Sequence, residues 1–100
     1  MASKLEFRGD DGDVTVLVLN DQDVLIGRLF DCAVRTRDST VTRRHARIDY
    51  RDEGYCIDDL GSDNGTWVNG RPITSHLLRP NDTIRCGRFE VRYFEDEGWR

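Results

Sequence analysis

Four short groups of polar residues have the types and spacing of a receptor for an anion. They are Gly27-Arg28, Thr42-Arg43-Arg44-His45, Ser62-Asp63-Asn64-Gly65-Thr66 and Asn69-Gly70. Arg28 is a permanent cation whose planar fork suits clustered oxygens such as those of a phosphate. Thr42 and Ser62 offer hydroxyl donors, and Arg43 and Arg44 add positive charge beside them. Gly61 and Gly65 let main-chain N–H groups come close to a ligand, and such groups bind anions well. Asn64 carries both a donor and an acceptor, which is what an extended peptide backbone requires. Cations, hydroxyls and amides without a carboxylate pair describe a binding site better than a reaction centre.

The elements that must position these groups read as β-strands. Val14-Thr-Val-Leu-Val-Leu19 is apolar at five of six positions and rich in β-branched residues, which predicts a strand buried on both faces. Val24-Leu-Ile26 follows after the polar turn Asn20–Asp23. Ala46–Tyr50, Thr83–Cys86 and Phe89–Tyr93 alternate apolar and polar residues, the pattern of a strand with one face inward. Asn69-Gly70 is the pair that tolerates positive φ at both centres of a hairpin turn. Asp52–Gly54, Asp63–Gly65 and Pro80–Asp82 are further turn formers, and Arg28–Glu53 shows no helical apolar stripe. Many short strands at short spacing predict an all-β sandwich or barrel. The functional groups then fall at strand ends and in loops, where a rigid scaffold presents them.

The 100 residues suit one domain with one core, spanning about 5–95, with a charged tail, Glu95-Asp-Glu97, that should fray unless Trp99 pins it. The net charge of −4 argues against a generic nucleic-acid binder. That total is unevenly spread. Residues 28–51 hold seven Arg and three Asp, a local +4, and the remainder carries eight basic and 16 acidic groups, a local −8. No apolar run approaches the ~20 residues of a membrane helix, and the first ten residues lack a signal-like apolar stretch. Cys32, Cys56 and Cys86 are odd in number and lie at least 24 positions apart, so they read as reduced, half or fully buried thiols of a cytoplasmic protein.

The four groups, in this order and spacing, resemble the forkhead-associated (FHA) domain, a family that binds phosphothreonine peptides. Its pattern is Gly-Arg, Ser-x-x-His, Ser-x-Asn-Gly-Thr and Asn-Gly; here Thr42 replaces the first serine and keeps its hydroxyl. The resemblance implies a sandwich of two mainly antiparallel sheets with about eleven strands, and a phosphopeptide held across the loops at one end. It implies that Arg28 and the Thr42 hydroxyl bind the phosphate, that Arg43, the Ser62 side chain and the Asp63 backbone lie against it, and that Asn64 holds the peptide main chain. His45 is similar to a histidine that ties the binding loops together, and Gly27, Gly65, Thr66, Asn69 and Gly70 shape those loops. The expected partner is a phosphothreonine-containing protein of a signalling or assembly process, read by a monomeric domain with no cofactor and no metal.

Other readings compete. The fold can serve as a scaffold whose contacts ignore phosphorylation, and Asp63, a carboxylate beside the expected phosphate, favours that. Catalysis through His45 lacks a legible partner set, and nucleic-acid binding is opposed by the acidic remainder. His76 reads as a surface histidine, Trp67 as packing, and Arg35 and Arg37 as a solvated face or ligand contacts. Thr40, Arg37 or Arg71 are the candidates for reading residues that flank the phosphate.

Overall fold

The computed structural model describes residues 2–96, which contain eleven strands and no helix. They are β1 (Ala2–Arg8), β2 (Val14–Leu19), β3 (Val24–Gly27), β4 (Val34–Arg35), β5 (Ala46–Arg51), β6 (Gly54–Asp59), β7 (Thr66–Val68), β8 (Arg71–Ile73), β9 (Ser75–Leu77), β10 (Thr83–Cys86) and β11 (Phe89–Asp96). One sheet has the order β2-β1-β11-β10-β7-β8, and the other β4-β3-β5-β6-β9. Every neighbouring pair is antiparallel except β3 with β4. This is the two-sheet, mainly antiparallel architecture the sequence implies.

The alternating strands place their apolar residues as period two dictates. Ile48 of β5, Ile57 of β6, Ile84 of β10 and Val91 of β11 are fully buried and meet between the sheets with Leu5 and Ile26. The Asn69-Gly70 hairpin also forms. Val68 pairs with Arg71 across it, and the two turn residues have φ of 52° and 83°. Positive φ at both centres matches the twist of the flanking strands.

Two expectations fail for reasons of position. β2 is an edge strand, not a doubly buried one, and Val14, Val16 and Val18 are each about half exposed. Its register with β1 sets Leu17 opposite Leu5 and Leu19 opposite Ser3, so the even-numbered valines point outward. Glu95 does not fray either. It lies in β11 opposite Ser3 and accepts a hydrogen bond from the Tyr93 hydroxyl at 2.7 Å. Glu97 and Trp99 lie outside the described residues.

Three features of this topology build one end of the sandwich. The β3–β4 and β4–β5 loops both leave the five-stranded sheet there. The β6–β7 loop crosses at that end from one sheet to the other. The β10–β11 turn closes against them, with the Gly87 N–H donating to the Gly65 carbonyl at 3.2 Å. Gly27, at the end of β3, allows the tightest contact, because a Cβ there would stand 2.1 Å from the Arg43 carbonyl oxygen. Backbone cannot yield as a flexible side chain would, so Gly27→Ala should destabilise the fold by about 1–3 kcal/mol. Calorimetry should record a fall in Tm of at least ~4 °C; an unchanged Tm would contradict this close approach.

Candidate functional site

The loops at this end enclose an open cleft of about 240 Å³ lined by Arg28, Ser39, Thr40, Val41, Thr42, Arg43, Asp63 and Asn64. The Arg43 carbonyl anchors its back wall. It accepts the Arg28 N–H at 3.0 Å and the Leu29 N–H at 3.3 Å. The Arg28 side chain then turns into the cleft and donates from Nε to the Val41 carbonyl at 2.6 Å. One arm of the guanidinium is thereby fixed, and its terminal amino groups remain for a ligand.

Thr42 and His45 fix the opposite wall. The Thr42 N–H donates to His45 Nδ1 at 3.0 Å, and His45 Nε2 meets the Gly65 carbonyl at 2.8 Å. An acceptor at Nδ1 and a carbonyl at Nε2 select the neutral imidazole with its proton on Nε2. His45 is fully buried, so it is a clamp between loops and touches no cleft space. The Thr42 Oγ1 accepts the Asp63 N–H at 3.0 Å, which leaves its own proton to donate.

The β6–β7 loop is organised by Asp59, a residue whose importance its sequence neighbours do not reveal. Its carboxylate accepts the Gly61 and Ser62 N–H groups, each at 3.1 Å, the Ser62 hydroxyl at 2.5 Å and the Thr66 hydroxyl at 2.7 Å. Burial would raise its pKa, but the Ser62 and Thr66 hydroxyls and the two amides outweigh that and hold it below the ordinary carboxylate range. Asp38 plays a similar part in the β4–β5 loop. It accepts the Thr40 hydroxyl at 2.6 Å and the Thr40 N–H at 2.8 Å, and its pKa is lowered by those bonds.

The structure brings Arg28, Thr42, Arg43, Asp63 and Asn64 to one cleft, with Gly27, His45, Gly65 and Thr66 behind it. Two expected donors are engaged elsewhere. The Ser62 hydroxyl gives its proton to Asp59 and accepts the Gly65 N–H at 3.0 Å, and Ser62 is not in the cleft lining. The Asp63 amide is held by Thr42, so both groups close the loop on itself. Asn64 donates from Nδ2 to the Thr40 carbonyl at 2.8 Å, which fixes its amide at the rim.

Asn69 and Gly70 do not shape this cleft. They lie at the far end of β7, where the Asn69 side chain joins Asp82 at 2.8 Å and the Thr83 N–H at 2.9 Å. His76 is half-buried and paired with Asp82 at 3.0 Å, so it is not a free surface histidine. Arg37 pairs with Asp10, and Arg35 donates to the Arg28 carbonyl; neither lines the cleft. Cys86 and Arg92 have the Cys-x₅-Arg spacing of a thiol phosphatase, a feature easily overlooked in the sequence. The fold separates them: Cys86 is fully buried with its thiol pushed up to about 12 by burial, and Arg92 is exposed on the other face of the sheet.

This geometry can be set beside known proteins. The FHA domain family model matches residues 24–87, a span that holds all the cleft residues. The chain belongs to the FHA-domain family. Among curated relatives, FhaA of Mycobacterium tuberculosis is 37% identical over 82 residues, covering 82% of this chain and 16% of that protein. FhaB of the same organism is 36% identical over 76 residues, covering 75% of this chain and 49% of that protein. This FHA domain thus spans about half, or less, of the length of the curated relatives it matches. A chain solved in a study of phosphothreonine-dependent FHA domain interactions superposes with a TM-score of 0.85 at 32% identity, covering 96% of this chain and 98% of that one. The FhaA FHA domain, solved in complex with the intracellular domain of another protein, gives 0.81 at 34% identity, covering 91% and 98%.

Asp59 provides a test of how this end is built. Its lowered pKa means that its stabilisation is complete above the ordinary Asp value near 3.9 and is lost as pH falls through the lower folded value. Asp59→Asn should therefore be less stable than the native chain at pH 7, and the gap should shrink below about pH 4. Denaturant titrations at pH 7 and pH 3 measure this; a gap independent of pH would contradict the assignment.

Proposed function

We propose that this FHA domain is a non-catalytic module that binds phosphothreonine in partner proteins for signalling or assembly. The observation that carries this reading is the cleft itself. Arg28 and Arg43 line it without a carboxylate partner among the described residues, and the Thr42 hydroxyl proton stands free beside them. A phosphothreonine brings about −1.5 to −2 charges, which suits two cations and a hydroxyl. In this reading Arg28 and Thr42 hold the phosphate, Arg43 adds charge, and Asn64 orients the peptide main chain. Gly27, His45, Gly65, Thr66 and Asp59 keep the walls in place.

Relatives support the same role. FHA domains are interaction modules, and similar proteins include the glycogen accumulation regulator GarA and an oxoglutarate dehydrogenase inhibitor. EmbR of Mycobacterium tuberculosis, 28% identical with a TM-score of 0.81, was solved with a phosphopeptide; this domain covers 26% of that chain. No helix among the described residues is long and apolar enough to cross a membrane. Three free cysteines fit a reducing, cytoplasmic setting.

A second reading, binding that ignores phosphorylation, draws on one observation: Asp63 is among the residues that line the cleft, and a carboxylate near a bound anion would repel it. Calorimetric titration separates the two. Phosphothreonine peptides should bind and their unphosphorylated forms should not. Arg28→Ala should weaken binding about tenfold to a hundredfold, since charge-assisted hydrogen bonds contribute roughly 1.5–3 kcal/mol. Affinity should also rise as the pH passes upward through about 6, where the phosphate takes its second charge. Equal affinity for both peptide forms, or no effect of Arg28→Ala, would favour the second reading.

A further inference from the structure

The end of the sandwich opposite the cleft holds a recess of about 600 Å³. The cleft stands where β3 ends and β5 begins. The recess stands where β5 ends and β6 begins, beside the loop that leads into β3. Its walls carry three tyrosines, Tyr50, Tyr55 and Tyr93, and three acids, Asp21, Glu53 and Glu95. No Lys or Arg stands among the described residues that line it.

The rings are packed on one another before any ligand arrives. Tyr50 and Tyr55 meet edge to face with centres 5.1 Å apart, and Tyr55 and Tyr93 lie 6.4 Å apart. Tyr55 and Tyr93 are buried, whereas Tyr50 is 53% exposed, so the inner pair holds an outer ring that a ligand can reach. The inner hydroxyls also place two of the acids. Tyr93 donates to Glu95 at 2.7 Å. Tyr55 donates to the Asp21 carboxylate at 3.3 Å and accepts the Asp21 N–H at 2.9 Å. Each bond engages one carboxylate oxygen and leaves the other without a hydrogen bond among the described residues. Glu53 stands exposed on the β5–β6 turn. Among the described residues no three acids stand close enough together to share a metal ion. The negative charge is spread along an aromatic wall, which suits a broad organic cation.

We propose that this recess is a second binding site, which takes the guanidinium group of an arginine side chain in a partner protein. A guanidinium is planar, stacks on aromatic rings and donates several N–H groups from one fork. It can therefore lie against Tyr50 and still bond more than one of the acids, which arrive from the β2–β3 loop, the β5–β6 turn and β11. A compact ammonium covers less of the ring, and a fully methylated one has no N–H for the carboxylates. The inference does not rest on the phosphothreonine reading, since no residue lines both spaces.

Nuclear magnetic resonance titration of the whole chain with arginine capped at both ends, N-acetyl-arginine methylamide, tests this at the Tyr50 and Tyr55 ring signals and the Gly54 amide. Capped arginine should give saturable shifts there. Capped citrulline, which keeps the shape without the charge, should not, and capped lysine should bind more weakly. Free arginine, whose own carboxylate the acids repel, should bind no tighter than the capped form. Glu53→Gln and Tyr50→Ala should each weaken capped arginine about two- to fivefold, and together bring it to the citrulline level. Both residues are exposed, so the variants will fold. Absence of a saturable shift, equal binding of citrulline, tighter binding of tetramethylammonium or of free arginine, or indifference to both substitutions would overturn the proposal. So would an Arg100→Ala variant whose Tyr50 and Gly54 signals move before any ligand is added, because the chain's own end would then be the occupant.

Discussion

The end of the sandwich that matters for binding depends on one buried imidazole. His45 precedes a strand of the five-stranded sheet, and Gly65 precedes a strand of the six-stranded sheet. The hydrogen bonds from Thr42 N–H to His45 Nδ1, and between His45 Nε2 and the Gly65 carbonyl, therefore join the two sheets through their loops. The His45 main chain joins in, with its N–H on the Ile26 carbonyl and its carbonyl on the Leu60 N–H. Removing such a ring would leave the Thr42 N–H without its partner, at a cost of about 1–3 kcal/mol, and leave the Gly65 carbonyl with the Gly87 N–H alone. It would also free Thr42 and, through it, the Asp63 amide. In the proposed reading, phosphate affinity is thus coupled to a residue that lies behind the cleft and does not line it.

The charge pattern follows from the same economy of partners. Of the seven arginines between 28 and 51, Arg37 pairs with Asp10 and Arg44 with Asp31, while Arg47 and Arg51 share Asp49 and Asp58. Arg35 bonds a main-chain carbonyl. Arg28 and Arg43 are the two left in the cleft, so two of the segment's seven cations serve that space. Chain folding, not local composition, decides which charges meet.

Much of this was legible in the residues. Alternation identified β5, β10 and β11, and the Asn-Gly pair identified the β7–β8 turn, because both signals are local. The order of the polar groups picked out Arg28, Thr42, Arg43, Asp63 and Asn64 as neighbours, and the fold unites them. What was not legible depended on tertiary position. An apolar run reads the same at an edge as in a sheet centre, so the sequence of β2 does not reveal its edge position. Ser62 looked like a ligand donor because a hydroxyl's partner cannot be seen in sequence; the partner is Asp59. Asn69 and Gly70 are close in number to the cleft loop, yet three strand residues carry them to its far side. Trp67 packs against Arg85, its cross-strand partner 18 positions away in the chain, which no short motif records.

The central claim is that the preassembled cleft at one end of the sandwich, and not a sheet face, is where a phosphothreonine partner binds. The most direct measurement is the set of backbone amide resonances followed during titration with a phosphothreonine peptide. The account predicts saturable shifts concentrated at Arg28, Thr42, Arg43, Asp63 and Asn64, absent with the unphosphorylated peptide, while Asn69, Gly70, His76 and the β2 valines stay still. Shifts centred on β2 or the sheet faces, or equal shifts from both peptides, would contradict it.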